Sequence, residues 1–188
     1  MKISTREMVW AAMFTALLCV LTILVRMVQP VIIIPFSLQP LVMLLAACLL
    51  SPSAAFLSML AYLCLGLIGL PVFSVPPYGG PAYVLLPSFG FLLAFPFAAW
   101  LQSKLIRKHN LPNFILAGIA GVVFFYLLGL PYMYLILKFY LGHTVDVMQV
   151  LKIGFLPFIV FDFLKIILAS LIAAQLSRRL DLKREVVS

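Results

Sequence analysis

Asp162 and Lys165 stand three residues apart inside the apolar run FLPFIVFDFLKIILASLIAAQL, and they are the one pair of opposite charges set deep in such a run. Residues i and i+3 share a face of a helix. The two side chains therefore offer a carboxylate that only accepts hydrogen bonds next to an ammonium with three donors. That combination suits a small polar ligand carrying both N–H donors and an anionic or carbonyl group. The competing reading is a private ion pair. A charge at the middle of a bilayer helix costs roughly 2.5–3.5 kcal/mol on insertion scales, and a partner on the same helix offsets part of that.

The elements that must position this pair are membrane helices. The chain of 188 residues is 65% hydrophobic and 10% charged, with a mean hydropathy of +1.23, so a water-soluble core cannot hide its apolar surface. Spans need about 20 apolar residues each. Hydropathy and breakers give six candidate windows, 8–28, 34–50, 54–70, 83–101, 113–137 and 153–176. Together they make an all-α, multi-pass chain, with residues 1–188 forming one integral membrane domain.

A net charge of +8 raises nucleic acid as a partner, but the basic residues flank the windows, which points to topology instead. With both termini in the cytoplasm, Lys2, Arg6, Lys104, Arg107, Lys108, Arg178, Arg179, Lys183 and Arg184 lie inside and Arg26, Lys138 and Lys152 outside, nine against three. An even number of spans agrees with that sidedness. Lys2 and Arg6 before an apolar run also fit a signal peptide, yet the run is long and Arg26-Met27-Val28-Gln29-Pro30 has no small-residue cleavage site. It reads as the first span.

The second window carries Pro30, Pro35 and Pro40 before a short apolar run. Broken helices at membrane depth are tolerated where the irregular backbone is buried or lines a cavity, and Pro-interrupted segments point to binding sites. Gln39, at the break, either contacts a ligand or caps backbone. Between the third and fourth windows lies LPVFSVPPYGGPAYVLLPSFG, uncharged and rich in Pro, Gly and aromatic residues. It is a poor helix but a reasonable outer lid, with Tyr78, Tyr83 and Phe89 as flat walls; an interfacial loop is the alternative. Ala12 and Ala16 make a small-xxx-small step that lets another helix approach, and Ala117 to Gly121 makes a second. Asp146 and Lys152 read as solvated outer-loop charges, and Lys138 as a snorkelling one.

Other chemistries lack their residues. Cys19, Cys48 and Cys64 fall inside windows, away from any His at ligand spacing, and read as packing residues; no metal or cofactor is expected. An intramembrane enzyme would need a nucleophile with a base in reach, but Ser37, Ser58 and Ser170 have no nearby His in sequence, and Asp162 has no second intramembrane carboxylate for a dyad. A small channel is the stronger alternative, although pores usually show rings of polar residues. No G-x-x-x-x-G-K-[ST] run is present to hold ATP.

The blocks IPFSLQPLVMLLAACLLSPSAAFLSMLAYLCLGLIGLPVF, GGPAYVLLPSFGFLLAF and Phe161-Asp162-Phe163-Leu164-Lys165 resemble, in order and spacing, the BioY family of biotin transporters. The resemblance implies a six-helix substrate-binding S component of an energy-coupling factor (ECF) transporter in a prokaryotic plasma membrane, with both termini cytoplasmic. Its partners would be a transmembrane scaffold subunit and two cytoplasmic ATPases, with Ala12 and Ala16 facing the scaffold. Asp162 and Lys165 would bind ligand polar groups, and Gly79 and Gly80 match the lid. Ligand contacts are expected from Gln39, Tyr78, Gly79, Gly80, Tyr83, Ser88 and Phe91 beside the charged pair. The pattern departs where Phe89 and Phe91 replace Gly and Tyr of a P-[ST]-G-G-Y segment, where Tyr78 replaces an Asn of some members, and where Leu92 replaces a basic residue. Biotin is the expected ligand; lipoate or another carboxylate vitamin is the alternative.

Overall fold

A computed structural model describes residues 3–28 and 37–179 of the chain. Pro30 and Pro35 of the second window, Lys2, Lys183 and Arg184 lie outside the described residues. Seven α-helices follow one another among the described residues, with no strand: α1 Thr5–Val28, α2 Gln39–Leu49, α3 Pro52–Leu67, α4 Phe89–Leu105, α5 Leu111–Leu135, α6 Val147–Gly154 and α7 Ile159–Arg179. A 3-10 turn, Pro81–Leu85, precedes α4, and a π-helical turn, Ile136–Tyr140, extends α5.

Six of these helices fall on the six apolar windows. The helix α1, the helix α5 with its π turn, and α7 are each long and apolar enough to cross a bilayer, while α2, α3 and α4 are shorter apolar helices. At about 1.5 Å per residue, the 11 residues of α2 cover only about 16 Å of a roughly 30 Å hydrocarbon core. The fourth window was expected to begin as helix near residue 83, but α4 starts at Phe89, because Pro81 and Pro87 restrict the residues between them to a 3-10 turn and an extended step. The seventh helix, α6, was not expected. Asp146, read from sequence as a solvated loop charge, starts it through a capping box: its Oδ1 accepts from the Gln149 N–H at 2.7 Å, and the Gln149 side chain accepts from the Asp146 N–H at 3.0 Å.

Small residues set the packing. On α5, a Cβ added at Gly129 would meet the Phe91 ring at 2.0 Å, one at Gly121 would meet Gln102 Oε1 at 2.9 Å, and one at Gly118 would meet Ile166 at 3.0 Å. The Ala117 to Gly121 step is therefore an internal face that draws α4 and α7 against α5. Both neighbours run antiparallel to α5: Phe91, Phe95 and Gln102 face Gly129, Phe125 and Gly121 in turn, and Asp162 and Ile166 face Tyr126 and Gly118. Buried polar groups tie α2 to α4, where Gln102 Nε2 donates to the Leu44 carbonyl at 3.1 Å and the Ser103 hydroxyl donates to the Leu50 carbonyl at 2.7 Å. Outer faces are apolar, with Met13, Val20 and Leu24 on α1, Leu116 and Leu127 on α5, and Phe163, Leu164 and Leu168 on α7 all exposed. Such continuous apolar surface is what lipid covers.

The α3–α4 connection folds back over the helix ends. Arg26, at the end of α1, donates to the Pro71 carbonyl at 2.9 Å and lies 4.2 Å above the Tyr78 ring. The Gly80 N–H donates to the Gly66 carbonyl at 2.7 Å, and buried Phe73 packs over Gly66, where an added Cβ would fall 2.0 Å from its ring. Gly66→Ala should therefore overpack the loop against α3 and cost about 1–3 kcal/mol. Thermal unfolding in detergent should show a lowered midpoint relative to the unsubstituted protein.

Candidate ligand-binding site

A cavity of about 410 Å³ opens among α2, α4, α5, α6, α7 and the 74–88 segment, within the range of small-molecule sites. Its walls are largely apolar: Phe91, Leu92 and Phe95 from α4, Phe125 from α5, and Phe158 just before α7. One charged cluster interrupts them. Asp162 lies on the first turn of α7 and Lys165 one turn later, both buried, with Lys165 Nζ 2.8 Å from Asp162 Oδ1. The second carboxylate oxygen accepts from the Tyr126 hydroxyl at 2.5 Å. Each oxygen of the buried carboxylate thus has a donor, and the phenol is fixed by edge contacts with Phe91, Phe125 and Phe155.

Gln39 reaches the cavity from the start of α2. Its Nε2 donates to the Tyr62 hydroxyl at 2.5 Å, its Oε1 accepts from the Ser37 hydroxyl at 3.0 Å, and Tyr62 in turn donates to the Val72 carbonyl at 2.7 Å. One N–H and one lone pair of the amide remain for a ligand. Gln39 therefore faces the cavity and, through Tyr62, is linked to the Val72 carbonyl; its side chain bonds other side chains, not the helix-start backbone that the sequence offered as the alternative. Tyr83 is 1% exposed, with its ring between Phe73 and Phe89. Ser88 stands at the N-cap of α4, and both residues line the cavity.

Six of the nine expected ligand contacts, Asp162, Lys165, Gln39, Tyr83, Ser88 and Phe91, thus meet around one space. Tyr78, Gly79 and Gly80 do not line it. Their types serve the backbone instead. Tyr78 has φ +68° and sits beneath Arg26; Gly79 passes so close that a Cβ would fall 2.3 Å from the Leu70 carbonyl oxygen; and Gly80 has φ +94°, a conformation that favours glycine. Tyr126 was missed from sequence. A phenol in the middle of an apolar span is the signal that was available, since a buried Tyr hydroxyl usually finds a partner.

Ala12 and Ala16 lie elsewhere, exposed along a groove between α1 and α3 whose other walls include Thr15, Ala61, Cys64 and Leu65. Cys64 is exposed there rather than packed inside, because it sits on the outer face of α3; Cys48 is buried and Cys19 half-buried.

Among the described residues, a helical fold with an apolar exterior and a partly open, mostly apolar cavity around an ion pair defines a solute-binding membrane protein. The comparisons make this particular. The BioY family model matches residues 1–182. A probable biotin transporter BioY of Lysinibacillus sphaericus is 38% identical over 176 residues, covering 92% of this chain and 87% of the relative. The biotin transporter BioY of Thermotoga maritima is 33% identical over 181 residues, covering 95% and 99%. Among solved structures, the S-component for biotin from an ECF-type ABC transporter superposes with a TM-score of 0.74 at 25% identity, covering 94% of this chain and 95% of that one. The chain belongs to the BioY family.

Removing one member of a buried ion pair leaves an uncompensated charge and costs about 3–5 kcal/mol, whereas replacing both is often close to neutral. In ligand-free protein, Asp162→Asn or Lys165→Met alone should therefore lower the unfolding midpoint more than the two changes combined. A double-mutant cycle on thermal stability measures that coupling.

Proposed function

We propose that the chain is the high-affinity biotin-binding S component of an ECF-type vitamin uptake transporter. The observation that carries this reading is the Asp162–Lys165–Tyr126 cluster at one side of an apolar cavity, in a chain of the BioY family. Biotin pairs a compact ureido head, with two N–H donors and a carbonyl, with an apolar thiophane ring and a valerate tail. Asp162 accepts from the ureido N–H groups, Lys165 donates to the carbonyl, and Phe91, Phe95, Phe125 and Phe158 enclose the ring.

The same reading has six helices crossing a prokaryotic plasma membrane as one domain, with both termini cytoplasmic. It is supported by the placement of charge: Arg6, Lys104, Arg107, Lys108 and Arg178 fall at the end of the bundle where α1 begins and α4 and α7 finish, opposite Arg26, Lys138 and Lys152. Cytoplasmic loops carry such an excess. The 68–88 segment is the outer lid. Without a nucleotide-binding run of its own, the chain binds rather than pumps, and a scaffold subunit with two ATPases supplies the energy. The groove at Ala12 and Ala16 is the scaffold-docking face, since small residues permit close helix approach. A single charged cluster in a largely apolar cavity favours a held solute over a stream of ions, which argues against a channel. Lipoate shares the carboxylate and sulfur ring but not the ureido donors that Asp162 would take.

Purified protein without nucleotide should bind labelled biotin saturably and more tightly than about 1 μM, which corresponds to about −8 kcal/mol, with lipoate a poor competitor. Asp162→Asn and Lys165→Met should each weaken binding at least about tenfold, since an unpaired buried donor or acceptor costs about 1–3 kcal/mol and more where charge is involved. Wild-type affinity in a well-folded variant would reduce the pair to a structural one.

The docking assignment has its own readout. Replacing Ala12 and Ala16 together with Trp should abolish co-purification with the scaffold and cellular uptake while leaving biotin affinity unchanged. Loss of biotin binding would instead show that the groove is internal packing.

A further inference from the structure

The cavity's charge sum carries a selectivity that goes beyond the choice of vitamin, and it rests on the biotin reading. Among the described residues lining the cavity, Asp162 and Lys165 are the two that carry formal charge, and the 29–36 segment leading into α2 holds no ionisable residue in its sequence. The pair is neutral as a unit, with Lys165 Nζ on one carboxylate oxygen and Tyr126 on the other. Cations at the same end of the bundle are engaged elsewhere or exposed. Arg26 is held by the Pro71 carbonyl and the Tyr78 ring, Lys138 donates to the Tyr134 hydroxyl at the surface, and Lys152 is exposed on α6.

A ligand carboxylate enclosed here would therefore leave one uncompensated negative charge among Phe and Leu side chains, where burying an unpaired charge is costly. Sharing Lys165 does not remove the problem. An anion reaching Nζ comes close to Asp162, whose Oδ1 is already 2.8 Å from that nitrogen, and like charges oppose one another. The uncharged donors that remain, such as the second Gln39 amide N–H and the Ser74 and Ser88 hydroxyls, donate to an amide carbonyl as well as to a carboxylate.

We infer that this site selects on the polar head group and takes the ligand tail uncharged as readily as ionised, so that amide-capped forms of the vitamin are ligands beside the free acid. In competition against labelled biotin on the purified full chain, the tail carboxamide of biotin should bind as tightly as biotin or more tightly, and at worst about tenfold more weakly, a loss of no more than about 1.4 kcal/mol. Lys165→Met should weaken acid and amide by a similar factor. An amide weaker by more than tenfold on the unsubstituted protein overturns the inference while leaving the biotin assignment intact, and so does a Lys165→Met effect confined to the acid. Failure of both acid and amide to bind removes the biotin assignment and the inference with it. The comparison of the two ligands on unsubstituted protein needs no variant to fold.

Discussion

The ion pair between Lys165 and Asp162 is the constraint around which the rest of the bundle is set. The neighbours Phe163 and Leu164 are exposed on the outer face of α7, whereas Asp162 and Lys165 are buried. Turning either charge to the apolar outer face would leave it unpaired among Phe and Leu side chains, which is costly, so the helix has one acceptable rotation about its axis. The pair also fixes the register of α7 against α5. Tyr126 must stand opposite Asp162 to satisfy the second carboxylate oxygen, which brings Gly118 opposite Ile166 and leaves Phe114 and Ala173 in one buried cluster further along. Glycines on α5 make the approach possible, since a Cβ at Gly118 or Gly121 would press on α7 or α4.

The space in front of the pair exists because two helices start late. The helix α2 begins only at Gln39, and α4 only at Phe89, so neither fills the half of the bundle where the cavity lies. Among the described residues, the uncharged α3–α4 connection lies over that end. Arg26 holds it from α1, Tyr62 from α3 through the Val72 carbonyl, and the Gly66 carbonyl through Gly80. Tyr132 on α5 adds a fourth hold by donating to the Val84 carbonyl. Backbone groups that would be costly if left unpaired in a low-dielectric setting are in this way used to fasten the strap.

Much of this was legible in the sequence because charge in an apolar run is a high-contrast signal. Asp162 and Lys165 stand out on cost alone, and the positions of the apolar helices follow from hydropathy and proline. Gln39, Tyr83, Ser88 and Phe91 were also reachable, since they sit where helices break. Tyr126 was not, because one of three tyrosines in a long apolar run reads equally well as packing until its partner, distant in sequence, is known. Tyr78, Gly79 and Gly80, which stand away from the cavity lining, show a different limit. A glycine kept for positive φ or for close backbone approach has the same sequence appearance as one kept for a ligand, and only the Gly66 and Leu70 carbonyls beside them tell the two apart. The helix α6 escaped because eight residues give too short a window, although Asp146 and Gln149 carried its start signal.

The arrangement divides its surfaces along α3. On one face of that helix Ala61, Cys64 and Leu65 form the wall of the groove that also holds Ala12 and Ala16. On the other, Tyr62 bonds Gln39 and the strap, and Gly66 receives the Phe73 ring and the Gly80 N–H. Its composition follows that division, with Ala, Ser and Gly where backbones come close, aromatic and thioether side chains where space must be filled, and no charged residue. Thr15 completes the logic on α1. Its hydroxyl is 2.9 Å from the Ser58 carbonyl oxygen and 3.3 Å from the Ser58 hydroxyl, so α1 and α3 are joined beneath the groove by a polar contact rather than by bulk. The groove can then stay shallow and small-sided without the two helices separating.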